Sequence, residues 1–261
     1  MNITDIYSPT LLKGTVTLIT GSGRNLGKAI ALGMAQAGSD LVLVARHRDE
    51  VEATAKKAWQ FGVKALPIQA DITNEENLAR VVEQSMHEFG KIDVLVNNAG
   101  LSGAYGQHKF EDIPTNEWED MLRVNVTGMF KITKAVGATM LARGSGKIIN
   151  IASARGIRPA AERIPYGVSK AAVIQLTRGL AMEWAGRGIT VNCVAPGSLD
   201  STPGSTDPAD IKLNQMRSKQ IPMGRLGTLD DVPPAVIYLA SPAGNYMTGT
   251  TFLVDGGMVL G

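Results

Sequence analysis

The sequence predicts an α/β fold, a single domain made of a doubly wound, seven-stranded parallel sheet with helices on both faces, and three observations carry that prediction. Seven short runs rich in β-branched residues recur along the chain, and helical spacing follows them in alternation. Several runs are apolar on consecutive residues, as strands buried on both faces are. No Pro/Gly/Ser linker, internal repeat or shift in composition divides residues 1–261.

In order, "GTVTLIT" is the first strand and leads into a helix over 25–37, and "DLVLVAR" leads into one over 48–61. "KALPIQAD" precedes a helix over 74–89, and "KIDVLVNNAG" precedes a loop and then a helix over 116–142. "GKIINIAS" comes before 166–187, "ITVNCVAPG" before a long loop and helix, and "TTFLVDGG" is the last strand. Parallel strands need crossover connections, and here the connections are helical. The one long irregular region, 198–228, is rich in Ser, Thr, Pro and Asp and is expected to act as a substrate lid with a short helix over 207–220.

Bulk composition removes several function classes. With 44% apolar and 19% charged residues the chain can bury a sizeable core, and a net charge of +2 sets up no field that demands nucleic acid or an anionic membrane. No apolar run is long enough to span a bilayer, and "MNITDIYSPT" has neither the charged start nor the apolar centre of a secretory signal. Cys193 is the single cysteine and sits in an apolar run, where it reads as a buried structural thiol. His47, His87 and His108 show no metal-ligand spacing, so no metal is expected, and the setting is expected to be reducing and cytoplasmic.

"LITGSGRNLGKAI" places three glycines between a strand and a helix. A dinucleotide's pyrophosphate must approach backbone N–H groups at such a helix start, and glycine permits this by lacking Cβ. Gly21, Ser22, Gly23, Arg24, Asn25, Leu26 and Gly27 are therefore assigned to the cofactor. The charge at the end of the second strand selects which one. An acidic residue there binds a ribose 2′-hydroxyl, whereas arginine accommodates a 2′-phosphate. Arg46 holds that place, while Asp49 and Glu50 come later, inside the next helix, so NADP(H) is favoured and NAD(H) is the alternative.

The loop resembles the Thr-Gly-x-x-x-Gly-x-Gly pattern of the short-chain dehydrogenase/reductase family, with Thr20, Gly21 and Gly27 in register and Asn25 in place of the middle glycine. Asn tolerates a left-handed backbone, which makes the exchange mild. The resemblance runs from about Leu12 to Gly257 and implies a Rossmann fold. It implies that Arg24 is a second arm of a phosphate clamp, that Asp71 and Ile72 in "QADIT" meet the adenine, and that Asn98, Ala99 and Gly100 of "NNAG" lie against the cofactor. "APGSLDST" resembles the family's Pro-Gly turn over the nicotinamide, through Pro196, Gly197, Leu199 and Ser201.

Asn125, Ser153, Tyr166 and Lys170 match the family's catalytic tetrad without substitution. In "YGVSK" the Tyr and Lys are four residues apart, on one helical face. A hydroxyl becoming a carbonyl loses a hydride to nicotinamide and a proton to a base, and a tyrosine of ordinary pKa about 10 is too weak a base at neutral pH. Lys170 is expected to lower the phenol's pKa and, by resemblance, to hold the nicotinamide ribose. Ser153 is expected to stabilise charge on the substrate oxygen, and Asn125, by resemblance, to help hold a water that relays protons to Lys170.

The substrate is expected to be small and polar. "LSGAYGQHKFED" and "ARGIRPAAERIP", the latter with Arg155, Arg158, Glu162 and Arg163, suit a sugar, polyol or sugar acid better than a long acyl chain. A 3-oxoacyl thioester (acyl-carrier-protein) reductase is the alternative, and a non-catalytic dinucleotide-binding regulatory protein is the alternative from another class. Family resemblance and apolar helix faces point to a homotetramer.

Overall fold

All seven strands form one parallel sheet in the order β3-β2-β1-β4-β5-β6-β7, in a computed structural model that describes residues 10–102, 105, 107–200 and 204–260. The strands are β1 Val16–Thr20, β2 Asp40–Ala45, β3 Ala65–Gln69, β4 Val94–Asn97, β5 Gly146–Ile151, β6 Ile189–Pro196 and β7 Thr251–Val254. Between them run helices α1 Asn25–Gln36, α2 Arg48–Ala58, α3 Glu75–Phe89, α4 Thr115–Leu122, α5 Met129–Arg143, α6 Ile164–Trp184, α7 Pro208–Ser218 and α8 Pro233–Ala240.

Consecutive apolar residues in the strands serve two cores. Ile19 and Leu43 face Ile30 and Met34 of α1 and Val236 and Leu239 of α8. Their neighbours Leu18 and Val42 face Val81 of α3 and Ile132, Val136 and Met140 of α5. All of these side chains are buried. Side chains alternate across a pleated strand, so a sheet covered on both sides needs apolar residues in both registers. The chain winds outward from β1 through β2 to β3, then returns to lay β4 on the other side of β1. That reversal opens a crevice at the carboxyl ends of β1 and β4, the place where open α/β sheets bind ligands.

The expected helix over 116–142 is interrupted. Between α4 and α5 the residues Arg123–Gly128 form a π-helical turn, a feature that sequence periodicity does not reveal and that occurs often at functional sites. A buried polar chain fixes the elements around it. Asn97 Nδ2 donates to Thr133 Oγ1 (2.8 Å) and to Asn150 Oδ1 (2.9 Å), and Asn150 Nδ2 donates to Thr177 Oγ1 (2.9 Å). These bonds pin β4 and β5 to α5 and α6, the helices that follow the π turn and carry Tyr166. No helix among the described residues is long and apolar enough to cross a membrane.

Candidate active site

The glycine loop turns sharply out of β1. Gly21 has φ +66°, and Asn25 takes the left-handed region at φ 47°, the conformation that asparagine tolerates better than most residues. A Cβ on Gly27 would collide with the Gly21 carbonyl oxygen, and one on Gly21 would stand 2.8 Å from Ala99 Cα. The loop is also tied from β4: Asn98 Nδ2 donates to the carbonyls of Thr20 and Gly21 (both 3.1 Å), and Thr20 Oγ1 accepts from the backbone N–H groups of Asn98 and Ala99 (both 3.1 Å). A backbone packed this closely, at a helix start, forms a cradle into which a pyrophosphate fits.

A cleft of about 590 Å³ opens above this cradle. Gly21, Gly23, Arg24, Asn25, Leu26 and Gly27 line one end, together with Arg46, Asp71 and Ile72. Asn98, Ala99 and Gly100 form its floor, and Ser153, Tyr166, Lys170, Pro196, Gly197 and Leu199 line the other end. Ser22 is placed differently. Its buried hydroxyl donates to Val44 O (3.3 Å) and staples the loop to β2, outside the cleft wall. Ser201 lies outside the described residues.

Charge near Arg46 is more mixed than sequence reading expects. Glu50, dismissed there because it lies within α2, is in the first turn of that helix and lines the cleft, 3.8 Å from the Arg24 guanidinium. The helix starts at the carboxyl end of β2, so its first turn projects over the cofactor end rather than away from it. Asp71 is held by the Thr73 N–H and hydroxyl (both 2.8 Å). Burial pushes its carboxyl up, but these bonds and the charges of Arg46 and Arg123 outweigh that and keep it below the usual range.

At the other end, α6 begins at Ile164 with Pro165 in its first turn, so Tyr166 and Lys170 share one face near the helix start. Lys170 Nζ lies 5.7 Å from the Tyr166 ring centre and donates to Ile151 O (2.8 Å). Ser153, 7% exposed, closes β5 and accepts from Arg155 N–H at 3.1 Å. The electrostatics correct one expectation. Burial raises the Tyr166 phenol, while its bond with Ser153 and the charge of Arg163 pull it down without reversing the shift. Burial also lowers Lys170 to about 8. The sequence shows a lysine one turn from a phenol, but not that Lys170 is buried and Tyr166 half-buried in the cleft wall.

Asn125 lies in the π turn, fully buried and outside the cleft wall. Its Oδ1 accepts from Leu101 N–H (2.6 Å), and its Nδ2 donates to Leu101 O (3.2 Å) and Ser169 Oγ (3.0 Å). The side chain thus ties the loop after β4 to the neighbour of Lys170. Leu101, Ser102, Tyr105, Arg123 and Val124 also line the cleft, and sequence reading assigned none of them individually to the cofactor. Tyr105 alone carried a signal, an aromatic in the segment read as substrate-facing. No cluster of potential metal ligands occurs among the described residues.

The family described as enoyl-(acyl carrier protein) reductase has a sequence model that matches residues 21–259. A 3-oxoacyl-(acyl-carrier-protein) reductase of Aquifex aeolicus is 35% identical to this chain over 248 residues, which cover 95% of this chain and 98% of the relative. A 2-dehydro-3-deoxy-D-gluconate 5-dehydrogenase of Dickeya dadantii is 37% identical over 251 residues, covering 94% and 96%. Among solved structures, a gluconate 5-dehydrogenase from Burkholderia cenocepacia in complex with NADP and tartrate is similar at a TM-score of 0.87 and 34% identity, over 96% of this chain and 97% of that one.

Proposed function

Since the chain belongs to the short-chain dehydrogenase/reductase family, we propose that it interconverts a secondary alcohol and a carbonyl on a small polar substrate, a sugar, polyol or sugar acid, with NADP(H). The observation that carries this reading is one continuous cleft with the glycine cradle and Arg46 at one end and Ser153, Tyr166 and Lys170 at the other. Arg46 and Asp71 would hold the adenosine end of such a cofactor, and Pro196, Gly197 and Lys170 its nicotinamide end. Ser201 is assigned to the same nicotinamide turn. NADPH, when bound, supplies the hydride that ends on the carbonyl carbon.

The protein's own groups handle the proton. A phenol held above its ordinary pKa stays protonated at neutral pH, which suits Tyr166 to donate its proton to the substrate oxygen as that oxygen gains charge. Ser153, fixed by the Arg155 N–H, offers its own hydrogen to the same oxygen. Lys170 holds its ammonium beside the phenol ring and on Ile151 O, where it would also hold the cofactor's ribose. Asn125 is a positioning residue through its bonds to Leu101 and Ser169. Glu50 beside Arg24 offers a carboxylate to a 2′-hydroxyl, which supports NAD(H) as a second cofactor.

We read the chain as one domain, with 198–228 as the lid of the substrate end, in support of which α7 has no buried residue. For a homotetramer the support is exposed apolar surface: Phe130 on α5, Val168 and Met182 on α6, and Phe252 and Leu253 on β7. A cytoplasmic setting belongs to the same reading.

Turnover of D-gluconate, D-glucitol and acetoacetyl-coenzyme A, each with NADP(H) and NAD(H), tests the function. Activity on a polyol or sugar acid, faster with NADP(H), is expected. Activity on the thioester alone would establish the alternative 3-oxoacyl reductase, which the relative from Aquifex aeolicus supports.

Lys170 also predicts a pH dependence. Its folded pKa is lowered to about 8, so the ammonium is intact below that value and is lost as pH rises through it. The kcat/KM for NADPH, which reports free-enzyme groups, is expected to fall above about pH 8. In Lys170→Arg, whose guanidinium keeps its charge, that alkaline fall disappears. An unchanged profile in the variant would assign the fall to another group.

A further inference from the structure

Where α2 meets the glycine loop, a carboxylate stands over the adenosine end of the cleft. Glu50, in the first turn of α2, lines the cleft beside Gly23, Arg24, Arg46 and His47. Its Oε1 lies 3.8 Å from Arg24 Nη1. The side chain also leans over the loop, since a Cβ on Gly23 would come within 2.9 Å of Glu50 Cβ and 3.0 Å of its Oε2. Helix and loop are tied at this point. The buried hydroxyl of Thr54, one turn along α2, reaches Gly23 O (3.2 Å) and Glu50 O (3.1 Å), and the Ser22 hydroxyl holds the loop to Val44 O. The backbone that carries Glu50 is therefore fixed against the backbone that carries Arg24.

Neither stability nor helix capping accounts for this placement. The Arg24 guanidinium is exposed, and an exposed pair 3.8 Å apart contributes little to folding. A carboxylate in a first turn does complement the helix dipole, but Asp49, exposed beside Glu50 in the same turn, already supplies one. What Glu50 changes is the reception of a group on the ribose 2′ carbon. A 2′-hydroxyl donates to a carboxylate, whereas a phosphate there carries a charge of about −1.5 to −2 at neutral pH and is repelled by one. Arg24 and Arg46 act in the opposite sense. Arg24, however, serves a phosphate only by leaving Glu50.

We infer that Glu50 is a specificity-determining residue, which opposes Arg24 and Arg46 at the 2′ position and so keeps NAD(H) usable beside NADP(H). This rests on the oxidoreductase reading above and adds the residue that sets the balance between its two cofactors. Toward a 2′-phosphate, the Arg24 guanidinium exchanges one anionic partner for another, so its contribution is only the difference between the two. The carboxylate left behind then repels the phosphate. Toward a 2′-hydroxyl, the pair stays closed and Glu50 accepts the hydroxyl's hydrogen. Both effects work against phosphate and are set by one side chain, so removing its charge alone shifts the preference further toward NADP(H).

Calorimetric titration of the full chain with NADPH, NADH, adenosine 2′,5′-bisphosphate and adenosine 5′-monophosphate tests this without any turnover. The last two carry the adenosine end alone and differ only at the 2′ position. The parent is expected to bind NADPH more tightly than NADH. Glu50→Gln, of the same size without the charge, is expected to widen that ratio about tenfold, as the loss of one charge-assisted contact would. The ratio for the two adenosine phosphates widens by a similar factor, and Arg24→Gln narrows both. Asp49→Asn removes the same charge one residue earlier, outside the cleft wall, and is expected to leave both ratios within about twofold of the parent. A thermal melt checks that each variant is folded. An unchanged or narrowed ratio in Glu50→Gln overturns the inference. So does a widening in Asp49→Asn as large as that in Glu50→Gln, which would assign the effect to the helix start as a whole. Turnover assays run in parallel separate the two levels. Turnover with an unresponsive ratio removes only this inference, and no turnover of any alcohol or carbonyl with a responsive ratio removes only the oxidoreductase reading. Failure of all four ligands to bind removes both.

Discussion

Tyr166→Phe is expected to lower kcat by about 10²- to 10⁴-fold, the usual contribution of a positioned general acid, with little change in NADPH affinity or thermal midpoint. The ring stays, so its packing at the start of α6 and beside Lys170 is retained. Only the hydroxyl is lost, and Ser153 keeps the Arg155 N–H as donor and Pro196 O (3.5 Å) as acceptor, so no buried polar group is orphaned. Steady-state kinetics and a fluorescence titration of NADPH measure the two quantities separately. A variant whose kcat stays within about tenfold of the parent would show that the proton comes from another group.

Gly27→Ala is expected to have the second largest effect, on cofactor binding and stability together. The added methyl would run into the Gly21 carbonyl oxygen and come within 2.5 Å of Asn98 Nδ2 and 2.8 Å of Gly21 C. These atoms cannot yield cheaply. Gly21 O and Asn98 Nδ2 are bonded to each other, and Asn98 also holds Thr20 O, so α1 must lift away from the loop. Overpacking of this kind costs about 1–3 kcal/mol. The lost alignment of backbone N–H groups is expected to weaken NADPH about tenfold or more, as losing one charge-assisted hydrogen bond would. Calorimetric NADPH binding and a thermal melt check both effects. Parent-like affinity and midpoint would mean that the loop is more pliant than its packing implies.

The fold was legible because its signals are local. Consecutive apolar residues in β1 and β2 announce a sheet covered on both sides, and helical spacing between the strands announces the covers. Boundaries were less legible: the last strand runs only Thr251–Val254, and the helix read as ending at 61 gives way to a 3-10 turn, Trp59–Phe61. The π turn at Arg123–Gly128 was not legible, because the phase shift that an extra residue makes in an apolar pattern is hidden in a segment that is apolar on more than one face.

In the cleft the same division holds. Gly21, Gly27, Tyr166 and Lys170 could be read from spacing because each acts with residues in its own turn or helix. Ser22 could not be separated from its lining neighbours, since which way a loop side chain turns depends on Val44 of the adjoining strand. Glu50 was set aside for lying inside a helix, yet the start of that helix overhangs the cleft.

The sequence by itself determined the order of strands and helices along the chain, the glycine cradle and the spacing of the residues proposed to handle the proton, because these are written in intervals of a few residues. Tertiary structure alone decided the charge environment: a phenol raised rather than lowered, and Glu50 beside Arg24. Desolvation and Coulomb interaction depend on distance through space and on how much water remains, and neither is set until elements remote in the chain have packed together.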